Sequence, residues 1–399
     1  MINLEALQSE IKSEIDKLKS GHCLLVKLTN YDELHSVISR VDSIITDFDK
    51  IIQTVYERYN IKAYTKITYD KIFFIIPRID QTLLEKIAFE IYYDSQLYIN
   101  DSMAEAFITC RISSLTFPDD SVKIEKIYAQ LIGVLTHFKN PGYYQKYDSN
   151  VHSIEKIKIE IRKLNMLRSA LANKTMKFAY QPIVDRKTGK IPYYECLLRM
   201  LDENNRFISV GPIIPYAESA GLINVVDHLV LEMVVNELVS SPDISLSVNI
   251  SNVGVLDDHL LEFAASLLAK HNVASRMIIE ITETSLNEDY NKTKIFMDKL
   301  HNYGCRFALD DFGSGFTSFR QLQNLPIDII KIDGSYVRNI TNNHHSKYFV
   351  EALIKISEDL GIKTVAEFVE NGEIAKFLID IKVDGMQGNF FSPASDHRE

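Results

Sequence analysis

Eight short strand-like segments recur between residues ~175 and ~395: FAYQPIV, YYECLLR, SLSVNIS, MIIEIT, RFALDD, IIKID, KTVAEF and DGMQGNF. Helical stretches such as 225–239, 257–271, 290–303 and 344–360 separate most of them. Eight strands in about 225 residues, mostly alternating with helices, predict a TIM-like (β/α)8 barrel over residues 175–399. Ahead of it, Ile154, Ile157, Ile161, Leu164, Leu167 and Leu171 share one helical face and predict a connecting helix over 151–174. Residues 21–150 interleave strands with helices and predict a smaller α/β domain. Leu4, Leu7, Ile11, Ile15 and Leu18 predict an amphipathic helix within residues 1–20. That helix packs on its own domain or, as the alternative, pairs two copies into a homodimer.

Composition narrows the function classes. Hydrophobic residues make up 46% and charged residues 25%, the balance of an ordinary globular chain. Forty-four basic against 54 acidic residues give a net charge of −10, with no long Lys/Arg block. Binding of a nucleic-acid polymer through its phosphates is therefore not expected. A small anionic ligand stays open if metal ions carry the positive charge. Cys23, Cys110, Cys196 and Cys305 are scattered without metal-ligand spacing, which argues against a disulfide framework or a zinc site. The opening MINLEALQSEIKSEIDK has early acids and no apolar core of signal-peptide length. The longest apolar run, Ile72–Ile76, is far short of the ~20 residues that span a bilayer. The expectation is a cytoplasmic protein without a membrane span.

The polar residues inside the barrel strands carry the chemistry. Glu195 lies in the second strand, Asn249 ends the third and Glu280 the fourth; Asp310 and Asp311 end the fifth. Lys331 lies in the sixth, Glu367 ends the seventh and Gln387 follows the eighth. One acid at a strand end is ordinarily a helix cap or a loop charge. Seven successive strands delivering polar groups to one rim mark the catalytic end of a barrel. Five carboxylates so gathered would repel one another unless cations hold them. Without His or Cys, the set suits two Mg²⁺ or Mn²⁺ ions. Asp310 and Asp311 would point oppositely in a regular strand, but the Phe312–Gly315 turn lets both reach a metal. Two ions ~3.5–4 Å apart clamp an in-line displacement at phosphorus. Lys331 then steadies the water or neutralises developing charge, and Glu367 takes the proton. The DFG at 311–313 lacks the companion motifs of a kinase, and FGSGF lacks the GK[ST] of a phosphate-binding loop.

These residues sit in motifs that resemble the EAL family of cyclic di-GMP phosphodiesterases over residues ~155–395. The carriers are YQPIV (180–184), ECLLR (195–199), PIIPYAESAGLI (212–223), SVNIS (247–251), EITET (280–284), DDFGSGFTSF (310–319), LPIDIIKID (325–333), VAEFVE (365–370) and QGNFFS (387–392). The resemblance implies Glu195, Asn249, Glu280, Asp310 and Asp311 as metal ligands. It implies Lys331 and Glu367 as the water-handling pair, and Gln181, Arg199 and Gln387 as residues facing the dinucleotide. Glu283 and Glu370 are implied to hold the DDFG loop. The implied reaction hydrolyses one phosphodiester of cyclic di-GMP to linear pGpG. The departures are Cys196 for a usual Ala, Phe368 for Gly, Gly334 for Arg and Asn389 for an aromatic. Phe368, between Glu367 and Glu370, has the bulk to shift either carboxylate. A non-hydrolysing cyclic di-GMP receptor or scaffold is the alternative, although such receptors commonly lose a carboxylate that this chain keeps.

Residues ~20–148 resemble, in outline, a GGDEF (diguanylate cyclase) domain with a degenerate signature. LLVKLTNYDEL puts Lys27 and Thr29 at metal-binding Asp positions, and KITYDKIFFIIP turns the signature into Thr68-Tyr69-Asp70-Lys71-Ile72. The expectation is a catalytically inactive, regulatory or dimerising domain.

Overall fold

The computed structural model describes residues 4–31, 33–34, 41–59, 61–98, 107–136, 138, 142–152, 154–202, 204–313 and 319–398. The chain divides into two compact units, Met1–Ile159 and Glu160–Glu399. The division falls inside the helix Ile154–Ala172. Among the described residues no helix is long and apolar enough to cross a membrane.

The first unit is built on a five-stranded sheet. Its strands are β1 (Gly21–Leu28), β2 (Ala63–Thr68), β3 (Lys71–Pro77), β4 (Cys110–Phe117) and β5 (Tyr144–Lys146), in the order β2-β3-β1-β4-β5. Alternate residues of a strand face opposite sides. Leu24, Val26 and Phe74 therefore pack with Phe48, Ile52 and Ile87 on one face. Cys23, Leu25 and Phe73 pack with Ile11, Ile15, Ile127 and Leu131 on the other. The side chains of Leu4 and Leu7, and those of Ile154 and Ile157 in the connecting helix, lie outside the described residues.

The second unit is a closed barrel of eight strands. These are β6 (Lys177–Asp185), β7 (Tyr193–Leu201), β9 (Leu246–Asn249), β10 (Met277–Thr282), β11 (Arg306–Phe312), β12 (Ile329–Ile332), β13 (Lys363–Ala366) and β14 (Gly385–Met386). A short β8 (Phe207–Ser209) adds to the outer edge of β7, and the β6–β7 pairing closes the ring. In one respect the barrel departs from the strand–helix repeat: β6 runs antiparallel to both neighbours. The cause is the connection. Parallel strands need a crossover of a dozen or more residues, whereas Arg186–Pro192 allows only a tight turn. Asp185 holds that turn, accepting from the Lys187 and Thr188 amides, and Gly189 takes φ +64°.

Inside the barrel the period of two sorts residues into layers. Ile183, Tyr193, Ile278, Ala308, Ile329 and Val365 form one buried apolar layer. Two residues further along each strand toward the same rim stand Gln181, Glu195, Glu280, Asp310, Lys331 and Glu367. Their outward-facing neighbours, such as Val248, Ile279, Phe307 and Ile330, join the core beneath the surrounding helices. The polar ring thus rests on a dry floor.

Candidate active site

Lys331 is the centre of the ring and is fully buried. Its Nζ lies 2.6 Å from Glu280 Oε2, 2.8 Å from Glu367 Oε1, 3.0 Å from Asp310 Oδ1 and 3.3 Å from Glu195 Oε2. Glu195 also accepts from Asn249 Nδ2 at 2.8 Å and from Gln387 Nε2 at 2.6 Å. Gln387 reaches Gln181 Oε1 at 3.0 Å, a contact open to Gln181 because the antiparallel register sets it opposite Glu195.

One ammonium cannot neutralise four carboxylates, and the ring responds by holding protons. Burial raises the lysine's cost, but Asp310, Glu195, Glu280 and Glu367 overcome it and keep Lys331 charged well above its ordinary range. Burial also opposes ionisation of Glu195, yet Lys331, Gln387 and Asn249 outweigh it and leave Glu195 an acid below the usual range. Burial, then the neighbouring Glu195 charge, push Glu280 up to about 8. Burial likewise pushes Glu367 well up.

Asp310 and Asp311 both reach the ring through a β-bulge. Leu309 pairs with Ile330 and Phe312 with Ile332, so two aspartates stand opposite the single Lys331. Asp311 adopts φ +53°, in the left-handed region. One carboxylate oxygen from each of Asp310, Asp311 and Glu367 lies within 4.8 Å of the others, a grouping that could hold a metal ion. Glu280 Oε1 is buried without a hydrogen-bond partner among the described residues, as an acceptor kept for a cation would be. The donor chemistry fits a hard divalent ion.

The loop after Asp311 is tied at its start. Glu283 Oε2 accepts from the Gly313 amide at 3.4 Å, and the Tyr336 hydroxyl donates to Gly313 O at 2.9 Å. Ser314 and Gly315 lie outside the described residues. Glu370, the other residue implied for this loop, is exposed and ion-paired to Arg338 at 3.4 Å. Arg199 lines a cavity of about 430 Å³ beside the ring, together with Asn249, Asp310, Asp311 and apolar side chains including Ile214 and Ile223.

Two residues were missed by the sequence reading. Asp333 shares a hydrogen bond with Asp311 and caps the next helix through the Ser335 amide at 2.8 Å. Burial, Asp310 and Asp333 together push Asp311 up to about 6. The acid that ends IIKID was the available signal for Asp333. Tyr336 carried none.

Phe368 does not crowd the ring. It takes φ +52° and turns outward, 47% exposed, with the Arg338 guanidinium 4.1 Å above its ring. Beneath it lies Gly334, where a Cβ would stand 2.2 Å from Phe368 Cδ2. The two departures are complementary: the ring fills the space that the glycine leaves.

Residues 164–394 match the EAL domain family. Over 237 residues the chain is 32% identical to cyclic di-GMP phosphodiesterase PdeF of Escherichia coli (strain K12), covering 58% of this chain and 32% of that protein. A solved PaMucR phosphodiesterase in complex with c-di-GMP matches with a TM-score of 0.54 at 27% identity, over 59% of this chain and 97% of that one. The apo S helix-GGDEF-EAL structure of Vibrio cholerae LapD gives a TM-score of 0.55 over 97% of this chain and 93% of that one; at 16% identity the likeness is one of fold. The chain spans about a third of the length of the curated relatives named first. With the family matched through more than half of its length, on a closed barrel whose rim gathers the motif carboxylates around one lysine, this protein belongs to the EAL domain family.

Proposed function

We propose that this chain hydrolyses one phosphodiester bond of cyclic di-GMP to give linear pGpG. The observation that carries the proposal is the buried Lys331 among four carboxylates, one of which, Asp310, lines a cavity of about 430 Å³ together with Asn249 and Asp311. That volume lies in the range of small-ligand sites. Family membership and relatives named cyclic di-GMP phosphodiesterase support the substrate.

Glu195, Asn249, Glu280, Asp310 and Asp311 would hold two Mg²⁺ or Mn²⁺ ions. When bound, such ions neutralise phosphoryl oxygens and lower the pKa of an attacking water. Lys331 keeps its ammonium and offers hydrogens to the water and to the phosphoryl oxygens on which charge develops. Glu367, held beside it at 2.8 Å and less acidic than a free glutamate, accepts the water's proton. Arg199, Gln181 and Gln387 face the dinucleotide, and Glu283 steadies the DDFG segment through the Gly313 amide. The four cysteines are free and buried, in keeping with a reducing cytoplasm.

In the same reading residues 21–150 are a degenerate GGDEF domain that regulates rather than synthesises. Lys27 stands directly across the sheet from Lys71 on one side and Arg111 on the other. Lys71 is paired with Asp70 at 2.8 Å, and Lys27 and Lys71 stand where a cyclase needs carboxylates for its divalent ion.

Purified protein supplied with cyclic di-GMP and Mg²⁺ or Mn²⁺ should yield pGpG on chromatography. Glu195→Ala should abolish that product, and Lys331→Ala should lower kcat more than it raises KM. Binding without product in the unmodified chain would instead favour a receptor. The same chain given GTP should make no cyclic di-GMP; product above a control lacking residues 1–150 would contradict the regulatory reading.

Metal uptake should depend on pH with a definite sign. Glu280 and Asp311 carry protons below about 8 and about 6, and a cation must displace them. Metal affinity should therefore rise from pH 6 to 8, by up to about tenfold per pH unit for each proton displaced. Calorimetry in buffers of different ionisation enthalpy should show proton release near pH 6.5. Zero release would contradict the proton-holding ring.

Gly334→Ala should reduce kcat/KM at least about tenfold by driving Phe368, and with it Glu367, out of place. Adding Phe368→Gly should restore most of the loss, a coupling of about 1 kcal/mol or more. Additive effects of the two changes would show that the contact does not bear on Glu367.

A further inference from the structure

The end of the barrel opposite the carboxylate ring carries a second polar cluster. Two residues back along the strands from the apolar layer, Ala308 leads to Arg306, Val365 to Lys363 and Ile183 to Asp185, all on the inner face. These three line a cavity of about 180 Å³ with Tyr193, Lys187 and Asp384. It has no room for a dinucleotide.

The two acids of this floor take their hydrogen bonds from backbone amides and hydroxyls rather than from its cations. Asp185 Oδ1 accepts from the Lys187 amide at 3.1 Å and from the Thr188 amide and hydroxyl, each at 2.7 Å. Asp384 Oδ2 accepts from the Thr364 amide at 2.9 Å and its hydroxyl at 3.2 Å. Among the described residues, Lys187, Arg306 and Lys363 form no ion pair within 4.0 Å.

Tyr193 adds an independent observation. It is 4% exposed, and its hydroxyl has no hydrogen-bond partner among the described residues. A buried donor left unpaired costs about 1–3 kcal/mol, and native interiors seldom leave one so. Lys187, Arg306 and Lys363 outnumber Asp185 and Asp384 around this cavity, and the positive excess beside an unpaired donor forms an oxyanion's complement.

We propose that this floor cavity binds a small oxyanion of the size and charge of inorganic phosphate, held by Arg306 and Lys363 and by a hydrogen bond from Tyr193. Nothing in the catalytic reading requires it, and the two ends of the barrel can be tested separately.

The test titrates inorganic phosphate into the metal-stripped full chain, following ³¹P line broadening and the thermal midpoint. Saturable binding of one phosphate per chain is expected, with a rising midpoint. Arg306→Gln and Lys363→Gln should each weaken it about tenfold, the loss of one charge-assisted hydrogen bond. Tyr193→Phe should weaken it about threefold, and Arg199→Gln, in the other cavity, should leave it unchanged. Lys363 is exposed at a strand start, so Lys363→Gln decides the matter if Arg306→Gln fails to fold. No saturable binding, or binding lowered by Arg199→Gln and untouched by Lys363→Gln, would overturn the proposal.

Discussion

The Lys331 ammonium, closed inside a barrel with four carboxylates around it, is the interaction on which the rest of the site depends. Moving an ammonium out of water costs several kcal/mol unless partners recover it. Glu195, Glu280, Asp310 and Glu367 recover it more than fully and leave surplus negative charge. A proton on Glu280, pushed up to about 8, absorbs part of that surplus, and divalent cations would absorb it better. A site built to be under-neutralised is a site built to take cations. An anionic phosphodiester can then approach a rim that, from its own residues alone, would repel it.

The architecture supplies what this balance needs. The apolar layer from Ile183 to Val365 keeps water from the underside of the ring, and a low dielectric strengthens every charge interaction above it. The antiparallel β6 turns Gln181 toward Glu195, and the bulge in β11 brings consecutive aspartates to one lysine. Phe368 and Gly334 close the outside of the Glu367 turn. The last three features are local irregularities in an otherwise repetitive barrel, and each lies at or beside a ring residue in the chain.

Much of this was legible in the sequence, for an identifiable reason. Alternation with period two exposes Ile278 before Glu280, Ile329 before Lys331 and Val365 before Glu367, so both the strands and their polar ends could be read. The direction of β6 could not be read from its own residues, because FAYQPIV is the same strand either way; only the short Arg186–Pro192 connection decides it. The bulge was hidden because nothing in the pair Asp310–Asp311 announces a left-handed aspartate. Gly334 and Phe368 are far apart in the chain, and their compensation becomes visible only as a contact.

Anomalous diffraction from crystals grown with Mn²⁺ and cyclic di-GMP would locate the ions directly. Two manganese peaks are expected within bonding distance of oxygens from Glu195, Asn249, Glu280, Asp310 and Asp311, with the scissile phosphate against them and Lys331 beside the attacking position. Manganese bound elsewhere, or a dinucleotide seated over a ring in which Lys331 still holds all four carboxylates and no metal is present, would contradict the two-metal reading.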